Sequence, residues 1–162
     1  MRRSHMIYLA ARYSEAERMR VIRTSLHALD YEVTSRWIDH HDGRYPISCT
    51  PEQLATDPQG CAPIAVADLD DLRAADTLIA FSPDPGAGGG KGGRHVEFGA
   101  AVALGLRVIL VGAREHVFHT LPAVEHFDGR GFTWWHLMHA LDPDALHRAT
   151  TTQADVTRAV GS

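Results

Sequence analysis

The sequence predicts an α/β domain in which helices cover both faces of a parallel sheet. Short apolar segments of strand length alternate along the chain with longer segments of helical period. The segment from Thr77 to Phe81 is nearly all apolar, as is usual for a strand buried on both faces. This alternation favours parallel strands joined by right-handed crossovers, with ligands at the carboxyl ends of the strands.

The first strand is predicted from Ile7 to Ala10, and a helix follows it. The helix begins near Ser14, which suits the N-cap position, and Glu17 completes a capping box three residues later. The apolar residues of this helix recur at helical spacing at Met19, Ile22, Leu26 and Leu29.

A second strand is predicted from Tyr31 to Trp37. The polar segment from His40 to Pro63 is punctuated by proline and glycine, which predicts a long loop with one helical turn after Pro51. Helix returns from Ile64 to Ala75.

Thr77 to Phe81 is the third strand, and the glycine-rich loop from Ser82 to Gly93 follows it. The next helix runs from His95 to Leu104 and ends at a glycine, and the fourth strand runs from Arg107 to Val111. Three later segments show no clear pattern or are polar: Val117 to Leu121, Phe132 to Leu141 and the tail from Asp142.

The 162 residues fit one domain, which is predicted from Ile7 to Leu141. Residues 1–6 are interpreted as an N-terminal extension or a cloning remnant, and residues 142–162 as a polar C-terminal tail. The net charge of -4 argues against a nucleic-acid polymer as partner, and no apolar run is long enough to span a membrane. No apolar segment of a signal peptide follows the basic start, and Cys49 and Cys61 suggest no disulfide framework, so a cytoplasmic protein is predicted.

The most informative stretch runs from Gly86 to Gly99, after an apolar strand and into a helix. A helix start favours an anion and the ionised form of Glu97, and an ionised carboxylate can act as the nucleophile in glycosyl transfer. Lys91 and Arg94 add two cations close by. The loop is neither a Walker motif nor a dinucleotide fingerprint, and a flexible connection without function is the alternative.

An aspartate-rich stretch, Asp68 to Asp71, precedes the third strand. Near the carboxyl end of the sheet, Asp68 could bind a nucleobase and protonate it as it leaves. For Asp70 and Asp71 a solvated acidic face is the preferred interpretation.

Three segments together resemble the nucleoside 2-deoxyribosyltransferase family and its relatives, the nucleotide N-glycosidases. They are Ile7 to Ser14, Ala67 to Asp76 and Gly93 to Gly105. The order and spacing of the three segments together indicate the family more specifically than any single segment does. The resemblance covers Ile7 to Val111 apart from the segment from His40 to Pro63.

The resemblance implies a flavodoxin-like fold that assembles as a homodimer or a larger oligomer. It implies a covalent intermediate on Glu97, a role for Asp68 in binding and protonating the base, and a position for Tyr8 close to the nucleophile. The substrate would be a small nucleoside or nucleotide, and neither a metal nor an organic cofactor is implied. These roles fit the chemistry, because loss of the base leaves an oxocarbenium-like sugar that a carboxylate can trap.

Two positions depart from the family pattern. Lys91 stands where the transferases carry an acidic or amide residue and the nucleotide hydrolases a small hydroxyl residue. With Gly93 and Arg94 it favours an anionic substrate. His95 replaces a small residue, and it would narrow the pocket or contact the substrate.

Arg12 lies in the loop after the first strand and is a further candidate for substrate binding. Trp37 either stacks on a base or belongs to the core. Metal ligation is not favoured for two histidine pairs, His40 with His41 and His136 with His139, because eleven histidines make such adjacency common.

The sequence leads to one preferred function and two alternatives. The preferred function is cleavage of the N-glycosidic bond of a 2′-deoxynucleoside, with transfer of the sugar to another base or to water. The alternatives are a hydrolase of nucleoside 5′-monophosphates and a non-catalytic nucleotide-binding sensor on the same fold.

Overall fold

A computed structural model describes residues 5–42, 49–84, 86, 92–128 and 134–142. The chain divides into two compact units, Met1–Asp128 and Gly129–Ser162. The first unit contains the sheet and the residues of the candidate site. In the second unit the described element is the helix α5, Trp134–Leu141. The predicted domain limits, the cytoplasmic location and the oligomeric assembly stay predictions.

The first unit is built on a five-stranded sheet whose neighbouring strands are all parallel. The strand order is β2-β1-β3-β4-β5, which is the order of flavodoxin-like doubly wound sheets. The predicted fold class is therefore confirmed. The strands are β1 (Met6–Ala10), β2 (Glu32–Val33), β3 (Thr77–Phe81), β4 (Arg107–Val111) and β5 (Val124–Phe127).

Among the described residues, four α-helices lie between the strands of this sheet. They are α1 (Ala16–His27), α2 (Pro51–Thr56), α3 (Pro58–Ala74) and α4 (Gly93–Leu104). Helix α3 packs against α4, and both also contact β1. Every residue of β3 is buried, as the apolar sequence of this strand predicts.

The predicted start of α1 is wrong. Ser14 lies inside a 3₁₀ turn, Tyr13–Glu15, and the α-helix begins only at Ala16. Within the described residues no side chain caps this helix, so the expected capping box of Ser14 and Glu17 does not form.

The second strand is shorter than predicted and ends at Val33. The Ser35 hydroxyl accepts a hydrogen bond from the Leu9 amide at 2.6 Å, and it lies 3.2 Å from the Leu9 carbonyl oxygen, to which it donates. The Ser35 side chain thus makes the hydrogen bonds to β1 that the backbone of a longer β2 would make. A 3₁₀ helix from Arg36 to Asp42 follows.

The long loop predicted from His40 to Pro63 is largely helical where the structure describes it. Pro51 and Pro58 begin helices α2 and α3, because proline fits the first turn, where an amide hydrogen has no partner in the helix. Thr50 and Gln53 form a capping box at the start of α2. Residues 43–48 of the predicted loop lie outside the described residues.

Cys49 and Cys61 form a disulfide, which corrects the expectation of unpaired cysteines. Their Cα atoms lie 5.9 Å apart, within the range that a disulfide spans without backbone movement. Two consecutive helices bring them together, since Cys49 precedes α2 and Cys61 lies in the first turns of α3.

The segment after β4 contains two elements that the sequence pattern did not indicate. Val117–Thr120 is a 3₁₀ helix, and Val124–Phe127 forms β5 at the edge of the sheet. Across the described part of the chain, we find no helix with the length and apolar character needed to cross a membrane.

Candidate active site

Tyr8 and Glu97 meet where β1 passes beneath the start of α4. Tyr8 is fully buried in the middle of β1, and its hydroxyl donates a hydrogen bond of 2.7 Å to Glu97 Oε1. Glu97 lies in the second turn of α4 and is partly exposed. The structure thus sets a buried hydroxyl donor against a carboxyl group that keeps some access to solvent.

Burial changes the protonation of both groups. It raises the pKa of Glu97 to about 7, and the hydrogen bond from Tyr8 offsets part of this rise. Burial and the nearby charges of Glu97 and Asp68 raise the pKa of Tyr8 far above its usual range, so Tyr8 stays a hydrogen-bond donor. The ionised fraction of Glu97 therefore changes steeply around neutral pH.

Asp68 lies on α3, the helix that packs against α4. Burial raises its pKa to about 6, Asp71 adds to the rise and Arg36 opposes it. The charge of Asp68 in turn raises the pKa of Glu97. Asp68 is thus close enough to Glu97 to influence the protonation of that carboxyl group.

Asp71 holds α3 to the segment that follows β2. Its side chain is buried, and it accepts hydrogen bonds from the Arg36 amide at 2.9 Å and from Arg36 Nε at 2.7 Å. The prediction of a solvated Asp71 is therefore wrong, because Arg36 supplies a partner for the buried charge. The same prediction is confirmed for Asp70, which is exposed and pairs with Arg73.

Arg94 is the second residue of α4, and it binds the carboxylate of Glu115. Both terminal nitrogens of the guanidinium donate, with Nη2 at 2.6 Å from Oε1. The Ser82 hydroxyl, just after β3, donates to Glu115 Oε2 at 3.1 Å. Glu115 therefore neutralises Arg94 and ties together two segments that flank the glycine-rich loop. Lys91, the second predicted phosphate ligand, lies outside the described residues.

Gly93 is the first residue of α4, and the glycine before it has a φ of 86°. Such a left-handed backbone favours glycine and lets the chain turn sharply into the helix. This turn brings Arg94 against Glu115, and one helical turn later it brings Glu97 against Tyr8.

His95 contacts other histidines. Its Nδ1 lies 3.0 Å from Nε2 of His116, and the rings of His116 and His119 are tilted by 46° with centroids 3.8 Å apart. Residues two apart on a helix point to roughly opposite sides, so His95 lies across α4 from Glu97. Substrate contact by His95 stays a prediction of the sequence, and the structure adds a cluster that the sequence did not reveal.

Two other predicted residues lie near the carboxyl ends of β1 and β3. Trp37 is 8% exposed and donates its Nε1 hydrogen to the Leu9 carbonyl at 2.8 Å, which favours its place in the core. Arg12 lines a polar cavity of about 190 Å³ together with Arg18 and Ser82. This cavity is at the edge of the sheet where ligands of such folds are expected.

No family model matches the chain, and no curated protein matches it either. Among solved structures, the chain is similar to a CMP N-glycosidase, BcmB, of Clostridium botulinum. The two are 23% identical, the alignment covers 75% of this chain and 87% of that one, and the TM-score is 0.48. A likeness of this degree supports no conclusion about activity, and the fold class rests on the strand order.

Proposed function

We propose that the protein cleaves the N-glycosidic bond of a nucleoside or nucleotide, with Glu97 as the nucleophile. The observation that carries the proposal is the hydrogen bond of 2.7 Å from the Tyr8 hydroxyl to Glu97 Oε1. It orients a carboxyl group whose pKa burial raises to about 7, beside a second carboxyl group with a pKa of about 6. Most glycoside hydrolases break the glycosidic bond with two carboxyl groups that differ in environment and in role.

In the first step the Glu97 carboxylate attacks the anomeric carbon of the sugar. A bond forms from Glu97 to this carbon, and the electrons of the bond to the base nitrogen leave with the base. The Tyr8 hydroxyl donates to one carboxylate oxygen, and this hydrogen bond favours the ionised form of Glu97 that attacks. A partly desolvated carboxylate with a raised pKa is also a stronger base, which favours the new bond.

Asp68 acts on the departing base. A carboxylic acid with a pKa of about 6 keeps its proton in a fraction of molecules near neutral pH, and it can donate this proton to a ring nitrogen. In the second step water or a free base displaces Glu97 from the sugar. The same donor, now ionised, can accept the proton that the incoming group loses.

We propose a 2′-deoxynucleoside as the substrate, and the contacts of Arg94 favour a nucleoside over a 5′-monophosphate. Arg94, one of the two cations predicted to bind phosphate, is engaged by both oxygens of Glu115. To bind a phosphate it would have to leave this carboxylate or share it, and either change loses charge-assisted hydrogen bonds.

The test is release of free base, followed by chromatography, from matched nucleosides and 5′-monophosphates with and without a second base. We expect release from nucleosides, formation of a new nucleoside when a base is added, and no release by Glu97→Gln. This variant keeps the size of the side chain and an oxygen for the Tyr8 hydroxyl. Release by the variant at the wild-type rate would refute the assignment of Glu97. Nucleotide binding without release of base from any substrate would favour the sensor.

A further inference from the structure

Three imidazoles gather at the start of α4, across that helix from Glu97. His95 lies on α4, and His116 and His119 lie in the segment after β4, which includes the 3₁₀ helix Val117–Thr120. One ring nitrogen from each histidine lies within 4.8 Å of those of the other two. Within the part of the chain that the structure describes, these histidines are brought together by the fold and not by a sequence motif.

One buried ring nitrogen of the cluster has no hydrogen-bond partner among the described residues. His95 Nδ1 and His116 Nε2 are 3.0 Å apart, and the Glu115 amide donates to His119 Nδ1 at 3.1 Å. His116 Nδ1 is buried and has no hydrogen-bond partner among the described residues. Buried polar atoms are nearly always satisfied, so this ring nitrogen can take a ligand within the cluster.

We propose that His95, His116 and His119 bind a divalent transition metal ion, with Zn²⁺ as the best fit. Neutral imidazoles are ligands for zinc and its neighbours, whereas Mg²⁺ and Ca²⁺ prefer oxygen. The carboxylate of Glu115 is occupied by Arg94 and Ser82, so the donor set of the cluster is nitrogen alone. The sequence predicted no metal site, and the proposal departs from that expectation.

The nitrogens can reach the geometry of such an ion by rotation of the histidine side chains. Two imidazole nitrogens on a tetrahedral zinc ion lie roughly 3.4 Å apart, as follows from zinc–nitrogen bonds of about 2.1 Å. The spacing of up to 4.8 Å in the cluster must therefore shrink by as much as about 1.4 Å. His119 Nδ1 accepts a hydrogen bond from the Glu115 amide. For His119 to bind the metal, this hydrogen bond must break or the imidazole ring must turn.

Three protein ligands leave a fourth position on a tetrahedral ion. His95 and His116 also line a cavity of about 560 Å³, whose other walls are mostly apolar and include Val96, Phe98 and Val102. A water molecule or a small ligand in this cavity could take the fourth position. The metal would tie α4 to the segment after β4, and it takes no part in the step proposed for Glu97.

The test is Co²⁺ titration of the protein after removal of metals, with the visible absorption of tetrahedral cobalt as the readout. We expect one equivalent to bind, Zn²⁺ to displace it, and either metal to raise the Tm. His95→Gln and His116→Gln should each weaken metal binding about 100-fold or more. Removing only the hydrogen-bond partner of a metal ligand weakens binding by about 10- to 100-fold, so removing the ligand itself should have at least as large an effect. The Tm of each variant without metal shows that it folds, and the fully buried His119 is left unchanged for that reason.

The control is a double variant, His136→Gln with His139→Gln, which removes a histidine pair at helical spacing from α5. It should bind cobalt like the wild type. The proposal is overturned if the wild-type protein gives no tetrahedral spectrum. It is also overturned if cobalt binding survives in His95→Gln and His116→Gln, or if the control variant loses it. A thiolate-to-cobalt absorption band would instead place the metal on reduced cysteines and refute the site.

Discussion

Replacing Tyr8 by phenylalanine tests how the candidate site controls the charge of its nucleophile. The change removes the hydroxyl that donates to Glu97 Oε1 and keeps the buried ring. A hydrogen bond to a charged group contributes about 1.5–3 kcal/mol, and one pKa unit corresponds to about 1.4 kcal/mol. Since the bond favours the ionised form, the pKa of Glu97 should rise by roughly one to two units in Tyr8→Phe.

The consequence is a loss of activity that depends on pH. Below the wild-type pKa of about 7, the variant holds about 10- to 100-fold less ionised Glu97, and kcat/KM for base release should fall by that factor. Above the raised pKa, Glu97 is ionised in both proteins, so the two rates should converge. The assay is kcat/KM for one nucleoside across the pH range in which both proteins stay folded.

Tyr31→Phe is a matched control. Tyr31 is also buried, and it lies just before β2, at the opposite end of the strands from the candidate site. This variant should follow the wild-type pH profile. A deficit of Tyr8→Phe that is equal at every pH would refute the reasoning, because the hydroxyl would then act otherwise than through the charge of Glu97.

Three further predictions concern stability. Burial raises the pKa of Glu97 from 4.5 to about 7. The contribution of Glu97 to the free energy of unfolding is therefore full below pH 4.5 and is lost as pH rises through 7. In denaturant unfolding, Glu97→Gln should therefore match the wild type near pH 4 and exceed it by about 3 kcal/mol above pH 8, and an equal difference at both pH values would contradict the shift. Asp71→Ala should lower the free energy of unfolding by about 2 kcal/mol or more, and the exposed neighbour change Asp70→Ala by less than about 1 kcal/mol; similar losses would argue against the buried ion pair. Reduction of the disulfide between Cys49 and Cys61, which are 12 residues apart, should lower the free energy of unfolding by about 2–3 kcal/mol, whereas a double serine variant should not respond to reductant.

The central strands could be predicted from the sequence because burial on both faces requires an uninterrupted apolar run. The limits of β3 and β4 agree with the prediction for this reason. The edge strands β2 and β5 were less predictable, since they are short and partly exposed. The end of β2 depends on a hydrogen bond from Ser35 to β1, which no local pattern reveals.

The helical turn predicted after Pro51 corresponds to α2, whereas the first part of α3 was missed because its proline residues were interpreted as loop signals. Pro51 and Pro58 instead occupy first helical positions, and Pro63 lies inside α3. Proline at the first position is compatible with a helix, so proline content alone does not separate a loop from a helix start.

The candidate site was predicted in part, and mainly through the resemblance. Tyr8 and Glu97 are 89 residues apart, and no spacing rule relates them, yet the structure joins them by a hydrogen bond. The partners of Asp71 and Arg94 could not be predicted, since Arg36 and Glu115 reach them only through the fold. The same holds for the histidine cluster around His95.

The central claim is that Glu97 forms a bond to the sugar, and mass spectrometry of the trapped enzyme tests it most directly. A 2′-fluoro-substituted deoxynucleoside suits this test, because the electron-withdrawing fluorine slows breakdown of a glycosyl–enzyme intermediate. After proteolysis, the account predicts one added sugar on the peptide that contains Glu97, and none in Glu97→Gln. Release of base by the wild-type enzyme with the sugar on another residue would contradict it.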